Sequence, residues 1–296
     1  LRRTLKMNIS SNTTIQEVLE LPAFKTWGRL LFPINRPIAL NMTIKELSSS
    51  KIYLWYNYID VNKTIEIINT LNHDAQNHSI FYNIYSKEEL LNDASKRDVG
   101  LFFFKGSKDA PFAICNAGGG FVYVGAMHDS FPHALELSKR GYNAFALIYR
   151  VEHPYEDLAK AISFIYNNAN MLKIDKRHYS LWGGSAGARM AAVLGNKKFL
   201  SSYSEIAVPS AEAVIMQYTG YDYVSNEDAP TYACIGTNDY IADHILMKKR
   251  LEHLNKLNIP TEFHCYKGLS HGFGLGTGTI AEGWIDDAIY FWQRQS

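Results

Sequence analysis

Ser185 stands in Gly183-Gly184-Ser185-Ala186-Gly187, within the stretch "YSLWGGSAGARMAAVLG" (179–195). Glycine inside a regular element costs conformational entropy, so this crowding of small residues points to a backbone requirement. The pattern is G-x-S-x-G. It follows an apolar run that reads as a strand and precedes an Ala-rich run that reads as a helix, the setting in which a sharp elbow presents a serine as nucleophile. An ordinary turn rich in small residues is the plainer alternative.

A serine hydroxyl is a poor nucleophile without a base. His271 in "GLSHGFGLG" follows the strand-like "EFHCY" and has glycines on both sides, so its loop can approach a neighbouring backbone closely. Other histidines have plainer readings. His73, His78, His178 and His253 lie in polar stretches, and His264 alternates within a strand. His128 and His133 flank "DSFP" and could border the site, but they lie far upstream. An acid should orient the base and support its charge. Asp239 in "CIGTNDYIAD" directly follows a strand and is the favoured acid. Asp222 in "YTGYDY" is an alternative, whereas Asp243 reads as a helix N-terminal residue. Gly118-Gly119-Gly120 follows the strand-like "PFAIC", where glycines allow backbone N–H groups to point at a developing oxyanion. A phosphate-binding loop is the competing reading, but neither G-x-G-x-x-G spacing nor a Walker lysine is present.

These residues need elements to position them. Short apolar runs at 111–116, 143–149, 179–183, 213–218, 231–236 and 262–266 read as strands covered on both faces. Helical periodicity occupies 154–172, 242–257 and 281–293 between or after them. Upstream of about residue 100, 62–75 is helix-like and 79–86 alternates. Strand–helix alternation predicts an α/β protein with a mostly parallel central sheet and helices on both faces. The division expected is an N-terminal segment, 1–75, packing on or capping a core domain, 76–296. Each candidate site residue then falls just past the C-terminal end of a strand, where ligands gather in open α/β sheets.

Composition excludes several other classes. The 296 residues are 47% hydrophobic and 20% charged with a formal net charge of +1, which suits a soluble globular protein. Neither nucleic acid nor an anionic membrane surface is an expected partner. No apolar run reaches the roughly 18 residues of a membrane span. Cys115, Cys234 and Cys265 share no metal-ligand spacing, so no metal is expected; each sits in a strand-like run and reads as a small buried hydrophobe in a reducing, cytoplasmic compartment. The chain begins at Leu1 with "LRRTLKMNISSN", which lacks the apolar core of a signal peptide, although a removed signal would leave no trace. Asn8, Asn12, Asn41, Asn62 and Asn77 fit Asn-X-Ser/Thr, read here as a product of Asn-rich composition.

From about residue 85 to the C-terminus the chain resembles the α/β-hydrolase superfamily. More narrowly, it is similar to bacterial esterase/lipase-like proteins with a glycine-triplet oxyanion loop, including acetyl-xylan and feruloyl esterases. The matching pieces are "NAGGGF", "GYNAFALIYRV", "DLAKAISFI", "GGSAGARMAA", "GTNDYIA" and "SHGFG", and Ser185…Asp239…His271 has the superfamily's chain order. The resemblance implies the α/β-hydrolase fold, Ser185 as nucleophile, His271 as base and Asp239 as acid. It also implies oxyanion N–H groups from Gly119, Gly120 and Ala186, and no cofactor. The activity implied is hydrolysis of short-chain carboxylic esters, acetyl groups on carbohydrate among them, so the partner is a small-molecule or carbohydrate ester. Many relatives carry His or Pro just before the glycine triplet. Here Ala117 removes any polar side chain at that point.

The connection at 219–230 leaves no room for a large lipase-type lid. Pocket walls are then expected from Phe121, Tyr218 and the N-terminal segment, with Tyr221 and Tyr223 at the rim. The run "IYLWYNYID" offers Trp55, Tyr56 and Tyr58, which could stack on a sugar, although aromatic stripes more often pack. A serine peptidase of the same fold and a non-catalytic hydrolase-like binding protein are the alternatives. The first would normally bring a gating domain and a site for the peptide amine; the second usually loses a triad member. A homo-oligomer is left open.

Overall fold

A computed structural model of the chain describes residues 8–56 and 59–296. Its centre is an eight-stranded sheet of order β1-β2-β4-β3-β5-β6-β7-β8. The strands are β1 (Phe81–Tyr82), β2 (Gly100–Phe104), β3 (Pro111–Asn116), β4 (Asn143–Ile148), β5 (Asp175–Gly184), β6 (Ala213–Gln217), β7 (Thr231–Gly236) and β8 (Thr261–Tyr266). From β4 to β8 every neighbouring pair is parallel. Strand β2 runs antiparallel to both β1 and β4. The α/β architecture expected from the alternation is the one observed.

Alternate residues along each strand feed two apolar clusters, as the two-residue period of a strand requires. On one face Phe102, Ala113, Cys115, Trp182 and Ile215 pack with Phe131 of helix Phe131–Lys139 and with Trp284 of helix Trp284–Gln293. Ile15, Phe24 and Ile67 of the N-terminal segment join the same cluster. On the other face Phe103, Ile114, Leu181 and Met216 meet Ile162, Met190 and Leu251. These come from helices Pro154–Asn167, Ala186–Gly195 and His244–Lys256. Each large apolar side chain so buried contributes about 1.5–3 kcal/mol, which makes the sheet a rigid platform for loops at its C-terminal edge.

Some boundaries differ from the sequence expectation. Only Phe81 and Tyr82 of the alternating 79–86 run pair with the sheet, and the helix expected over 154–172 is interrupted at Asn168 into the helix Pro154–Asn167 and a short helix Ala169–Leu172. Cys115 and Cys234 are buried, but Cys265 is exposed, which corrects its reading as a buried hydrophobe. Strand β8 is the edge of the sheet, and its residues are only partly buried apart from the exposed Cys265. Tyr58 lies outside the described residues. Among those described, no helix is long and apolar enough to cross a membrane.

Candidate active site

Strand β5 ends at Gly184 and helix Ala186–Gly195 begins at Ala186, so Ser185 is the whole connection. It adopts φ 52° and ψ −117°, a left-handed conformation that a side-chain-bearing residue holds only under constraint from its surroundings. The flanking glycines explain how the constraint is met. A Cβ at Gly183 would overlap the Gly187 carbonyl, and a Cβ at Gly187 would overlap the Asn116 carbonyl at the end of β3. The tight turn therefore needs glycine on both sides of Ser185. Its backbone N–H is anchored to the Gln217 carbonyl at 2.9 Å.

His271 brings the loop after β8 to this elbow. Its Nε2 is 3.2 Å from Ser185 Oγ, and its Nδ1 is 2.7 Å from Asp239 Oδ2. With the Nδ1 proton donated to Asp239, Nε2 is free to accept from the serine hydroxyl. Asp239 is itself fixed, since its Oδ1 accepts from the Ile241 and Ala242 N–H groups at 2.9 and 2.8 Å. The other two acids lie elsewhere. Asp243 caps helix His244–Lys256 through the Ile245 N–H, and Asp222 sits in an exposed loop.

The His271 loop is held from several sides. Gly274 gives its N–H to the Tyr218 hydroxyl, and its carbonyl accepts from Gln217 Nε2 and Trp284 Nε1. The Tyr218 ring lies 4.9 Å from the His271 ring. His128 Nε2 meets the Gly272 carbonyl at 2.6 Å, and His133 pairs with Gln217 Oε1. Burial lowers the pKa of His133, which favours its neutral form. Both upstream histidines therefore support the site from behind and take no place beside Ser185.

Gly120, Phe121, Ala186, Tyr218 and Tyr221 line a pocket of about 330 Å³ together with Ser185 and His271. Gly120 has φ 61°, and Trp55 of the N-terminal segment lies across it, stacked on Tyr123 with ring centroids 6.2 Å apart. Gly119 lies one residue back from the pocket wall; its carbonyl accepts from Val122 and Tyr123. The Ala117 carbonyl is taken by the Tyr149 hydroxyl at 2.6 Å. Tyr223 packs on Phe199 and does not line the pocket.

The sequence reading passed over Asp129. Its buried carboxylate accepts from the Gly118 N–H at 2.8 Å, from Tyr56 Oη at 2.7 Å and from Tyr218 Oη at 2.5 Å. Burial, reinforced by the Asp129 charge, pushes both tyrosines well above their ordinary pKa and keeps them as donors. One carboxylate thus ties the glycine triplet, the N-terminal segment and the wall beside His271 together.

Strand order, elbow and the hydrogen-bonded serine, histidine and aspartate together define the α/β-hydrolase fold. Residues 102–222, less than half of the chain, match the BD-FAE family model. An acetyl ester-xyloside bifunctional hydrolase from Caldicellulosiruptor lactoaceticus is similar in structure, with TM-score 0.63, 20% identity and coverage of 72% of this chain and 95% of that one. An esterase of Thermogutta terrifontis solved with propionate gives TM-score 0.60 at 19% identity, covering 72% and 93% of the two chains. MGS-M1, an α/β-hydrolase from a deep-sea metagenome library of the Medee basin, gives 0.56 at 24% identity, covering 67% and 92%. Among curated sequences, endo-1,4-beta-xylanase B of Butyrivibrio fibrisolvens is 31% identical over 114 residues, which are 36% of this chain but 16% of that protein.

Proposed function

We propose that the protein is a serine esterase that cleaves short-chain carboxylic esters through an acyl-enzyme intermediate. The observation that carries this reading is the chain Ser185 Oγ–His271 Nε2 at 3.2 Å and His271 Nδ1–Asp239 Oδ2 at 2.7 Å. Ser185 Oγ attacks the ester carbonyl carbon while His271 Nε2 takes its proton, and Asp239 holds the resulting imidazolium. The negative charge passes to the carbonyl oxygen, for which the N–H groups of Gly119, Gly120 and Ala186 are the proposed donors. As the C–O bond breaks, His271 returns the proton to the departing alcohol. Water then attacks the acyl-serine with His271 again as base, releasing the carboxylic acid and restoring Ser185.

Acetyl groups on carbohydrate are one substrate class consistent with this site. The intact hydrogen-bonded chain supports a catalyst over a hydrolase-like protein that only binds. A fluorophosphonate probe should label Ser185 in the native protein. Ser185→Ala should fold, lose the label and lose ester turnover by a factor on the order of 10⁴. A folded Ser185→Ala protein with undiminished turnover would reject the proposal.

A further inference from the structure

Arg189 is exposed, lies four residues after Ser185, and its N–H bonds to the Ser185 carbonyl at 3.1 Å in the first turn of the helix. It lines the pocket that contains Ser185 and His271 and is the permanently charged residue of that lining. Among the described residues it forms no ion pair. Its guanidinium carbon instead lies 5.6 Å from the Tyr221 ring centroid. Arg250 lies 5.2 Å from the same centroid. Arg250 is buried and fixed, donating to the Tyr223 carbonyl at 2.9 Å with Asp228 at 3.9 Å. Both guanidinium groups thus lie against the Tyr221 ring, and the exposed one, Arg189, is also part of the pocket wall.

The remaining walls give this cation little competition. Phe121, Tyr218 and Ile241 present mainly apolar surface, and no carboxylate belongs to the lining. An unpaired guanidinium resting on an aromatic ring offers a planar fork of N–H donors, a shape that matches the two oxygens of a carboxylate.

We propose that Arg189 selects esters that carry a carboxylate a short distance from the scissile bond. This inference rests on the esterase reading. The carboxylate takes no part in bond making or breaking; Arg189 holds it while Ser185 attacks the ester carbon. It could belong to the acyl part, as in the half-ester of a dicarboxylic acid, or to the alcohol part, as in an acidic sugar or aryl alcohol.

Two matched pairs of esters separate these sources. Mono-4-nitrophenyl succinate is compared with its methyl ester, and 3-carboxyphenyl acetate with its methyl ester. Each kcat/KM is divided by the substrate's rate of hydrolysis by hydroxide. In the wild type the charged member of one pair should be favoured, and the preference should weaken as salt is raised. Arg189→Gln should reduce that charged-to-neutral ratio about tenfold or more, and Arg189→Lys should keep part of it. The pair that responds identifies the side of the ester. If Arg189→Gln does not fold, Arg189→Lys and the wild-type salt dependence decide. A ratio unaffected by Arg189 or by salt in both pairs overturns the inference and leaves the esterase reading standing. Failure of the wild type to hydrolyse any of the four esters removes both.

Discussion

The carboxylate of Asp129 occupies the space that a side chain on Gly184 would need, directly before Ser185. A methyl group at Gly184 must displace a buried carboxylate that holds three donors. Overpacking of this kind costs about 1–3 kcal/mol. Gly184→Ala should therefore lower the melting temperature and also reduce the fraction of active sites titrated by a fluorophosphonate. An unchanged melting temperature would show that Asp129 can move without loss.

Asp129→Ala makes a sharper test. It strands the Gly118 N–H and the hydroxyls of Tyr56 and Tyr218, each at a cost of about 1–3 kcal/mol when left buried and unpaired. Asp129→Asn, which keeps one acceptor oxygen for Gly118, should be distinctly more stable by denaturant unfolding. Equal stability of the two variants would contradict the hub role.

Asp239 and Asp243 should respond differently to the same substitution. Asp239→Asn should cut kcat by roughly 10⁴, because His271 loses the acceptor that sets its tautomer. Asp243→Asn replaces one good N-cap with another, so stability should change by only a few tenths of a kcal/mol, with kcat near the wild-type value. Steady-state kinetics and thermal melts on both variants would show a reversed order at once.

Acid stability should depend on Glu136. It receives Lys63 at 2.9 Å, Lys139 at 3.1 Å and Arg140 at 2.7 Å, and Arg140 also meets Asp286 of the C-terminal helix at 2.6 Å. Burial raises its pKa, but the hydrogen bonds from Lys63, Arg140 and Lys139 outweigh that and hold it at about 2 against an ordinary 4.5. The folded value lies below the unfolded one. The stabilisation is therefore fully present above about pH 4.5 and is lost as pH falls toward about 2. Glu136→Gln should be less stable at neutral pH, and its unfolding free energy should fall less steeply across that acid range. Parallel acid-unfolding curves would refute this.

Acyl preference should follow from the pocket. The 219–230 connection contains no helix, and Phe121, Tyr218 and Ile241 bound a space of about 330 Å³. Along 4-nitrophenyl esters, kcat/KM should fall beyond butyrate, since each methylene contact is worth only about 1–3 kcal/mol and a steric clash outweighs it. Rates that hold or rise out to decanoate would show that Phe121, Tyr218 and Ile241 do not limit the acyl chain.

Much of the architecture was legible because the chain is locally consistent. Six strands and three long helices follow from apolar runs and periodicity, and the elbow follows from glycine spacing around Ser185. Asp243 was readable as a cap because its helix begins immediately after it. Strand β2 escaped notice because "GLFFF" lies in a segment whose neighbours in the sheet, β1 and β4, are not both close in sequence. Asp129 gave no local signal either. It ends the short helix Ala126–Asp129, and its partners Tyr56 and Tyr218 are 73 and 89 residues away. Arg189 carries no local signal in the sequence, and only the fold brings the Tyr221 loop against it at the pocket.

Trp55 holds a left-handed backbone, φ 68°, while its ring covers Gly120 and the adjacent Tyr56 covers Gly272. Such a conformation in a bulky residue costs about 1–3 kcal/mol, so this stretch keeps its shape only while docked. It clamps the loops on either side of Ser185 from one side, and because it belongs to the same chain that contact carries no cost of bimolecular association. A single backbone cut that freed the stretch would turn docking into a bimolecular equilibrium. The nicked protein would then lose turnover on dilution and regain it on concentration.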